Sequence, residues 1–163
     1  MKYYTVEGVI NEESFEKFLG FMNGLEDDSD ATIILNSGGG KSNLASVILD
    51  IINHNKDRVT LISCGIYSAA FYIFYNAKCK KKMTTESVGM IHRSVSEMRL
   101  ASNCNPVYFE DINTIKNWKE SESDLEFVSQ FMSSKELKVF KKGDDVYFTF
   151  KRMKEIFTDV EII

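Results

Sequence analysis

The sequence predicts a single α/β domain with a mostly parallel sheet. Its 163 residues are enough for one compact domain and few for two. Short apolar runs of strand length alternate with amphipathic runs of helix length, and strands separated by helices form parallel sheets with right-handed crossovers. The chain has one proline and no low-complexity segment, so nothing marks a linker between domains.

The first half of the chain contains three predicted strand and helix pairs. Apolar and β-branched runs predict strands from Lys2 to Val6, Ala31 to Leu35 and Arg58 to Ser63. The predicted helices follow these strands; the first begins after an Asn11 cap, the second covers Ser42 to Asn55, and the third covers Ser68 to Asn76. A short strand from Val88 to Ile91 comes next. The lysines between them, at positions 78 and 80–82, predict a solvated turn.

From Val107 onward the pattern changes to a long helical stretch, which predicts a helical arm. Sheet character returns at Val146 to Phe148. A helix capped by Thr149 is expected to run to Ile156, and a final strand is expected between Val160 and Ile163.

Composition and charge exclude several functions. The chain is 44% hydrophobic and 27% charged, which is typical of a folded globular protein. A net charge of -4 and a pI near 5.3 provide no field that would attract nucleic acid or an anionic membrane. The uncharged stretch from Leu61 to Ala77 has polar interruptions and is interpreted as a buried strand and helix, not as a membrane span.

The three cysteines, Cys64, Cys79 and Cys104, form no CxxC pair and are odd in number. No disulfide framework, zinc site or signal peptide is expected. The sequence therefore predicts a cytoplasmic protein with no metal and no cofactor.

The segment from Asn36 to Ser42 is rich in glycine and lies between a strand and a helix. Its Gly40-Lys41-Ser42 end is similar to a phosphate-binding P-loop, but Leu35 occupies the position where that motif has its first glycine. Alternatively, glycines without β-carbons let the backbone approach a substrate and direct an N–H group at a developing oxyanion. A simple turn between strand and helix is the third interpretation.

Ser68 and His92 form a candidate nucleophile and base. Ser68 follows a strand and Gly65 and begins an apolar helix, where a helix N-terminus favours negative charge. Serine at this position is also a common N-cap. His92 directly follows a predicted strand, whereas His54 lies among polar residues and is expected to be solvated. Acyl transfer requires a base near the nucleophile, so the two residues together predict a serine hydrolase.

These motifs, in this order, resemble the Clp protease proteolytic subunit and its relatives. The resemblance rests on Asn36-Ser37-Gly38-Gly39-Gly40, on the turn from Gly65 to Ala70, and on Met90-Ile91-His92. It implies a ClpP/crotonase-like core of repeated ββα and βα units with a mostly parallel sheet and a protruding helical handle. The single domain would span residues 1–163, with the core at about 1–104 and 142–163 and the handle at about 105–141.

The resemblance also implies a serine peptidase site. Ser68 would be the nucleophile, His92 the base and Asp145 the residue that orients His92, with Asp144 as a rival and a plain turn as the alternative. Ala69 and either Gly39 or Gly40 would supply oxyanion N–H groups. A peptide or protein would be the substrate, and the protein would form a homo-oligomer.

Some residues differ from the family pattern. Gly38 replaces a proline, and Ile66 and Tyr67 stand where relatives favour alanine, so the substrate pocket is expected to differ. The chain begins almost at its first strand, which does not favour docking to an ATP-driven unfoldase. Three other functions remain open: a catalytically silent scaffold or binding module, an acyl-thioester enzyme of the crotonase fold, and a nucleotide-binding protein.

Overall fold

The computed structural model describes residues 1–26, 29–93 and 122–163. They fall into two compact units. The first unit consists of Met1–Ile91 and Tyr147–Ile163, and the second of His92–Val146.

The strands in the described part of the chain form one sheet, and the predicted α/β fold with a mostly parallel sheet is confirmed. The sheet order is β1-β2-β3-β4-β5, and β6 pairs with the start of β4. Four strand pairs are parallel: β1/β2, β2/β3, β3/β4 and β4/β6. The strands are β1 (Lys2–Ile10), β2 (Ala31–Gly40), β3 (Val59–Tyr67), β4 (Lys80–Ile91), β5 (Val146–Phe148) and β6 (Glu161–Ile162).

Helices connect these strands. The first unit contains α1 (Glu12–Asn23), α2 (Ser42–His54), α3 (Ala69–Asn76) and α6 (Phe150–Ile156). Asn11 caps α1 as predicted, because its side chain accepts the Ser14 N–H while Ser14 Oγ accepts the Asn11 N–H. Thr149 likewise caps α6, where its hydroxyl accepts the Arg152 N–H at 3.4 Å.

The core of the first unit lies between the central strands and the helices that cover them. Ile33, Leu35 and Leu61 in β2 and β3 are completely buried, in agreement with their continuous apolar runs. Around α3 the core is aromatic, because Phe71 and Phe74 contact the rings of Phe148 and Phe157 at centroid distances of 5.1–5.5 Å.

Four strands extend beyond their predicted ends, and the first of them, β1, continues past Val6 to Ile10. β2 continues through the glycine segment to Gly40, where Val9 and Ile10 of β1 pair with Gly39 and Gly40. β3 continues to Tyr67. The predicted turn at the lysine run is wrong, since Lys80 already begins β4 and pairs with Thr60. Pairing with a neighbouring strand, which sequence periodicity does not reveal, determines these ends.

The second unit contains two described helices, α4 (Glu122–Ser129) and α5 (Ser134–Lys141). Ser133 caps α5 and Glu136 accepts the Ser133 N–H in return. Residues 105–121 of the predicted handle lie outside the described residues, as does Cys104. Within the rest of the predicted handle, Glu122–Ser129 and Ser134–Lys141 are helical and residues 130–133 between them are not, so the long helical arm stays a prediction.

The uncharged stretch from Leu61 to Ala77 forms most of β3 and all of α3, as the sequence predicted. Within the described ranges, no helix has the length and apolar character needed to cross a membrane.

Candidate active site

Ser68 lies at the sharp turn between β3 and α3. Its backbone angles are φ 53° and ψ −119°, and it is the one non-glycine residue with positive φ within residues 1–26, 29–93 and 122–163. Such a conformation costs about 1–3 kcal/mol and is found mainly at functional sites. A similarly strained strand-to-helix turn exposes the nucleophilic serine of α/β-hydrolases.

Backbone hydrogen bonds hold this turn on both sides. The Ser68 N–H donates to the carbonyl of Met90 near the end of β4 at 2.7 Å, and the Ser68 carbonyl accepts the N–H of Tyr72 at 3.1 Å. Tyr67 also pairs with Met90 in the β3/β4 ladder. The strained residue is therefore fixed to β4 and to the first turn of α3.

The side chain of Ser68 does not cap α3. Asn11, Ser133 and Thr149 precede other helices, and each accepts an N–H from the first turn. The hydroxyl of Ser68 makes no such hydrogen bond. The common structural explanation of a serine at a helix start therefore does not apply here.

Gly39 lies directly against the Ser68 turn. A β-carbon at position 39 would lie 2.7 Å from the carbonyl oxygen of Tyr67, 2.8 Å from Ser68 Cβ and 3.0 Å from the nitrogen of Ala69. Gly39 also has a φ of 88°, which residues with side chains rarely adopt. Both the lack of space for a side chain and the backbone conformation require glycine at position 39. This close packing places two of the predicted oxyanion residues, Gly39 and Ala69, next to Ser68.

Ala69 is the first residue of α3. The N–H groups in the first turn of a helix have no partner within the helix, and the helix dipole makes this end attractive to negative charge. The Ala69 N–H is therefore a candidate donor to an anion at this end of α3. This arrangement is suited to stabilising an oxyanion formed by attack of Ser68.

Gly40 has a different neighbour. It pairs with Ile10 of β1, and a β-carbon at position 40 would overlap the Ile10 backbone, 2.8 Å from its nitrogen. The N–H of the next residue, Lys41, donates to the Ile10 carbonyl at 2.9 Å. Gly40 is thus required by the contact with β1, and Gly39 by the contact with Ser68.

This pairing also disfavours the P-loop interpretation. A P-loop wraps its backbone amides around a phosphate, whereas Gly39 and Gly40 belong to β2 and pair with Val9 and Ile10 of β1. The Lys41 ammonium forms an ion pair with the carboxylate of Glu12.

Ser37 is a residue of this site that the sequence did not single out. Its hydroxyl donates to the Gly8 carbonyl at 2.7 Å and accepts the Gly39 N–H at 3.1 Å. A serine between a strand and a glycine run gives no local signal for these contacts, since Gly8 lies 29 positions away in the chain.

The other predicted triad members belong to the second unit. His92 directly follows the end of β4 and is half-buried. Asp144 and Asp145 are exposed and lie between α5 and β5, after Gly143, whose φ of 89° ends the helix. The first unit therefore brings together Ser68, Ala69 and Gly39, and the roles of His92 and Asp145 remain a proposal.

The described cysteines offer no alternative nucleophile of comparable placement. Cys79 is buried, and burial raises the pKa of its thiol to about 11, so that it is largely protonated at neutral pH. Cys64 is half-buried within β3. Among the side chains that the structure describes, no group of three or more His, Cys, Asp or Glu residues could hold a metal ion.

A comparison with known protein families identifies the family of this chain. The model of the Clp protease family matches residues 5–126, which is most of the chain. The chain belongs to the Clp protease family. The resemblance inferred from the glycine, serine and histidine motifs is thereby confirmed, and the matched range includes both Ser68 and His92. Curated protein sequences gave no match.

Solved structures of Clp proteases share the fold. A mutant of ClpP1 from Listeria monocytogenes has a TM-score of 0.67 and 21% identity, with 99% of this chain and 90% of that chain covered. The ClpP protease catalytic domain from Plasmodium falciparum has a TM-score of 0.62 and 22% identity, covering 99% and 84%. A peptidase from Plasmodium falciparum has a TM-score of 0.66 and 16% identity, covering 99% and 94%. At these identities, the similarity establishes the fold.

Proposed function

We propose that this member of the Clp protease family is a serine peptidase that uses Ser68 as its nucleophile. The observation that carries the proposal is the strained turn at Ser68 with Gly39 packed against it. A strain of this kind persists only where the surrounding structure enforces it. Family membership supplies the reaction class, which is hydrolysis of peptide bonds in peptides or proteins.

In the proposed mechanism, Ser68 Oγ attacks the carbonyl carbon of the scissile peptide bond. His92 takes the proton from the hydroxyl and then returns it to the leaving amine. The chain supports this role because the Ser68 N–H is bonded to Met90, and His92 follows Met90 by two residues. Asp145, or its neighbour Asp144, would hold the His92 imidazole in the tautomer that accepts the proton.

The oxyanion of the tetrahedral intermediate would be stabilised by the Ala69 N–H and by an N–H from Gly39 or Gly40. In the described structure the Gly39 N–H donates to Ser37 Oγ. Gly39 can act as a donor to substrate only if that hydrogen bond is shared or opened. Losing one donor of this kind typically costs about 3–4 kcal/mol of transition-state stabilisation.

The proposal requires no cofactor or metal. It includes self-association into a homo-oligomer, for which family membership is the support. The unpaired thiols of Cys64 and Cys79 support a reducing compartment such as the cytoplasm. An ATP-driven unfoldase is not part of the proposal.

A fluorophosphonate probe, which reacts with activated serines, tests the nucleophile. The wild-type protein should be labelled on Ser68, as located by peptide mass spectrometry, and should cleave a fluorogenic peptide. Ser68→Ala should abolish both, and His92→Ala should slow labelling by about 100-fold or more. Ser46→Ala, which changes an exposed serine of α2, is the control and should behave like wild type.

Equal labelling of the wild type and of Ser68→Ala would remove Ser68 as the nucleophile. A wild type that is folded, unlabelled and inactive would instead favour a catalytically silent scaffold with this fold.

A further inference from the structure

The hydroxyl of Ser37 bridges β1 and the glycine segment of β2. Ser37 is 2% exposed, and its hydroxyl has a partner on each side, the Gly8 carbonyl at 2.7 Å and the Gly39 N–H at 3.1 Å. Buried hydroxyls that are bonded on both sides fix the backbone groups that they join.

This bridge lies where the β1/β2 ladder is irregular. Gly8 pairs with Ser37 and the next residue, Val9, pairs with Gly39, so that Gly38 is an extra residue in β2. A bulge of this kind interrupts the regular backbone hydrogen bonds. The Ser37 hydroxyl supplies hydrogen bonds at that interruption. Because one of them is to the Gly39 N–H, it restrains the orientation of the Gly39 peptide.

Gly39 in turn contacts the Ser68 turn, with Tyr67, Ser68 and Ala69 all within 3.0 Å of the position of a β-carbon. There is no spare space at this contact. A rotation of the Gly39 peptide would change both its distance from Ser68 and the direction of the N–H groups in the glycine segment.

We propose that Ser37 is a positioning residue for the oxyanion site, because its hydroxyl holds the Gly39 peptide in the orientation that packs against Ser68. This inference rests on the proposed serine peptidase function and extends it to a residue that does not itself contact the substrate. Without the hydroxyl, the Gly8 carbonyl and the Gly39 N–H lose this partner, and the Gly39 peptide loses one of the restraints that fix its orientation. Because Ser37 itself accepts the Gly39 N–H, the donor that depends on the packing of Gly39 is the Ala69 N–H beside it, and misplacement of such a donor by about 1 Å lowers the rate by about 10- to 100-fold.

The test compares Ser37→Ala with a matched control, Ser87→Ala. Ser87 is also fully buried, and its hydroxyl also donates to a backbone carbonyl of a neighbouring strand, that of Ser63 at 2.6 Å. Both variants lose one buried hydroxyl, so a general loss of stability should affect them alike. Only Ser37 contacts the glycine segment.

The rate constant kcat is measured per active site, with the number of sites determined by titration with the fluorophosphonate probe. Ser37→Ala should lower kcat by about 10- to 100-fold with little change in KM, and should weaken inhibition by a peptide boronate, which forms a tetrahedral adduct on the serine, by a similar factor. Ser87→Ala should leave both values near those of the wild type. If Ser37→Ala folds poorly, Ser37→Cys, which has similar size and a weaker hydrogen-bonding group, should show the same change to a smaller degree.

An unchanged or raised kcat per site in Ser37→Ala would overturn the proposal. An equal reduction in Ser87→Ala would also overturn it, because the effect would then follow from stability alone. The same experiment separates the two proposals. If the wild type is labelled on Ser68 but Ser37→Ala behaves like the wild type, only the role of Ser37 is refuted. An unlabelled, inactive wild type would refute both.

Discussion

At the scale of single residues, the site depends on two backbone conformations with positive φ. Ser68 adopts one although its β-carbon makes it unfavourable, and Gly39 adopts another beside it. The next glycine toward the N-terminus, Gly38, is different: its φ is not positive, and a β-carbon there would have no heavy atom within 4 Å. Gly38 should therefore tolerate a side chain, whereas the adjacent Gly39 should not.

We expect Gly39→Ala to lower peptidase activity by about 100-fold or more, because the new methyl group would overlap the Ser68 turn and displace an oxyanion donor. The same change should lower the free energy of unfolding, since alanine is strained at a φ of 88°. Activity assays and urea denaturation measure the two effects.

Gly38→Ala is the matched control and should retain most activity and be equally or slightly more stable, by up to about 1 kcal/mol. A similar loss of activity in both variants would contradict the assigned difference between the two positions.

At the scale of elements, the strands extend further than their apolar runs. Residues 80–82 are all lysines, and the sequence alone suggests a turn. They nevertheless form the start of β4, because β3 pairs with all three and β6 pairs with Lys82. Lys80 and Lys82 form ion pairs with Glu161 of β6. Lys81 instead points to the end of α3, and its ammonium donates to the carbonyls of Phe74 and Tyr75 at 3.4 and 3.3 Å.

Lys81 is thus predicted to stabilise the C-terminal end of α3. Its ammonium also lies over the rings of Phe74 and Phe157, at 5.8 and 6.0 Å from their centroids. Lys81→Ala should lower the free energy of unfolding by about 1–2 kcal/mol, through lost packing of the aliphatic stem and lost hydrogen bonds. Lys80→Ala, which removes an exposed ion pair, should change it by less than about 0.5 kcal/mol.

Urea denaturation at pH 7 distinguishes the two variants, and equal effects would refute the role of Lys81.

The contribution of Lys81 to the stability of the protein depends on pH. Burial lowers the pKa of the Lys81 ammonium below 10.5, so the folded protein binds this proton less tightly than the unfolded chain does. Burial of this charge lowers the free energy of unfolding, and the loss becomes smaller as the pH rises toward 10.5. Lys81→Ala should lack this increase of stability with pH.

At the scale of the whole molecule, the first unit is built from two segments that are distant in sequence. Residues Tyr147–Ile163 return to the sheet after the second unit and cover α3 and β4. Phe157 is central to this closure, because its ring contacts those of Phe71, Phe74 and Tyr75 at 5.1–5.9 Å. The helix that begins after Ser68, α3, is therefore supported by residues of the second segment.

Phe157→Ala should lower the free energy of unfolding by about 3–5 kcal/mol, because it leaves a cavity under α3. Phe157 is 6% exposed; Tyr3, an aromatic residue on the edge strand β1, is 66% exposed and provides the control. Tyr3→Ala should change the stability by less than about 1 kcal/mol. Thermal or urea unfolding followed by circular dichroism measures both, and a small effect of Phe157→Ala would show that the C-terminal segment does not contribute to this core.

The sequence by itself determined the order of strands and helices, the parallel sheet, the caps at Asn11 and Thr149, and the position of Ser68 at the start of a helix. These features follow from local chemistry, since periodicity, capping and turn residues act over a few positions. The tertiary structure decided the contact of Gly39 with Ser68, the contact of Gly40 with Ile10, the bridge made by Ser37 and the direction of Lys81. Each of these depends on which strand or helix lies beside the residue, and the pattern of a single sequence does not contain that information.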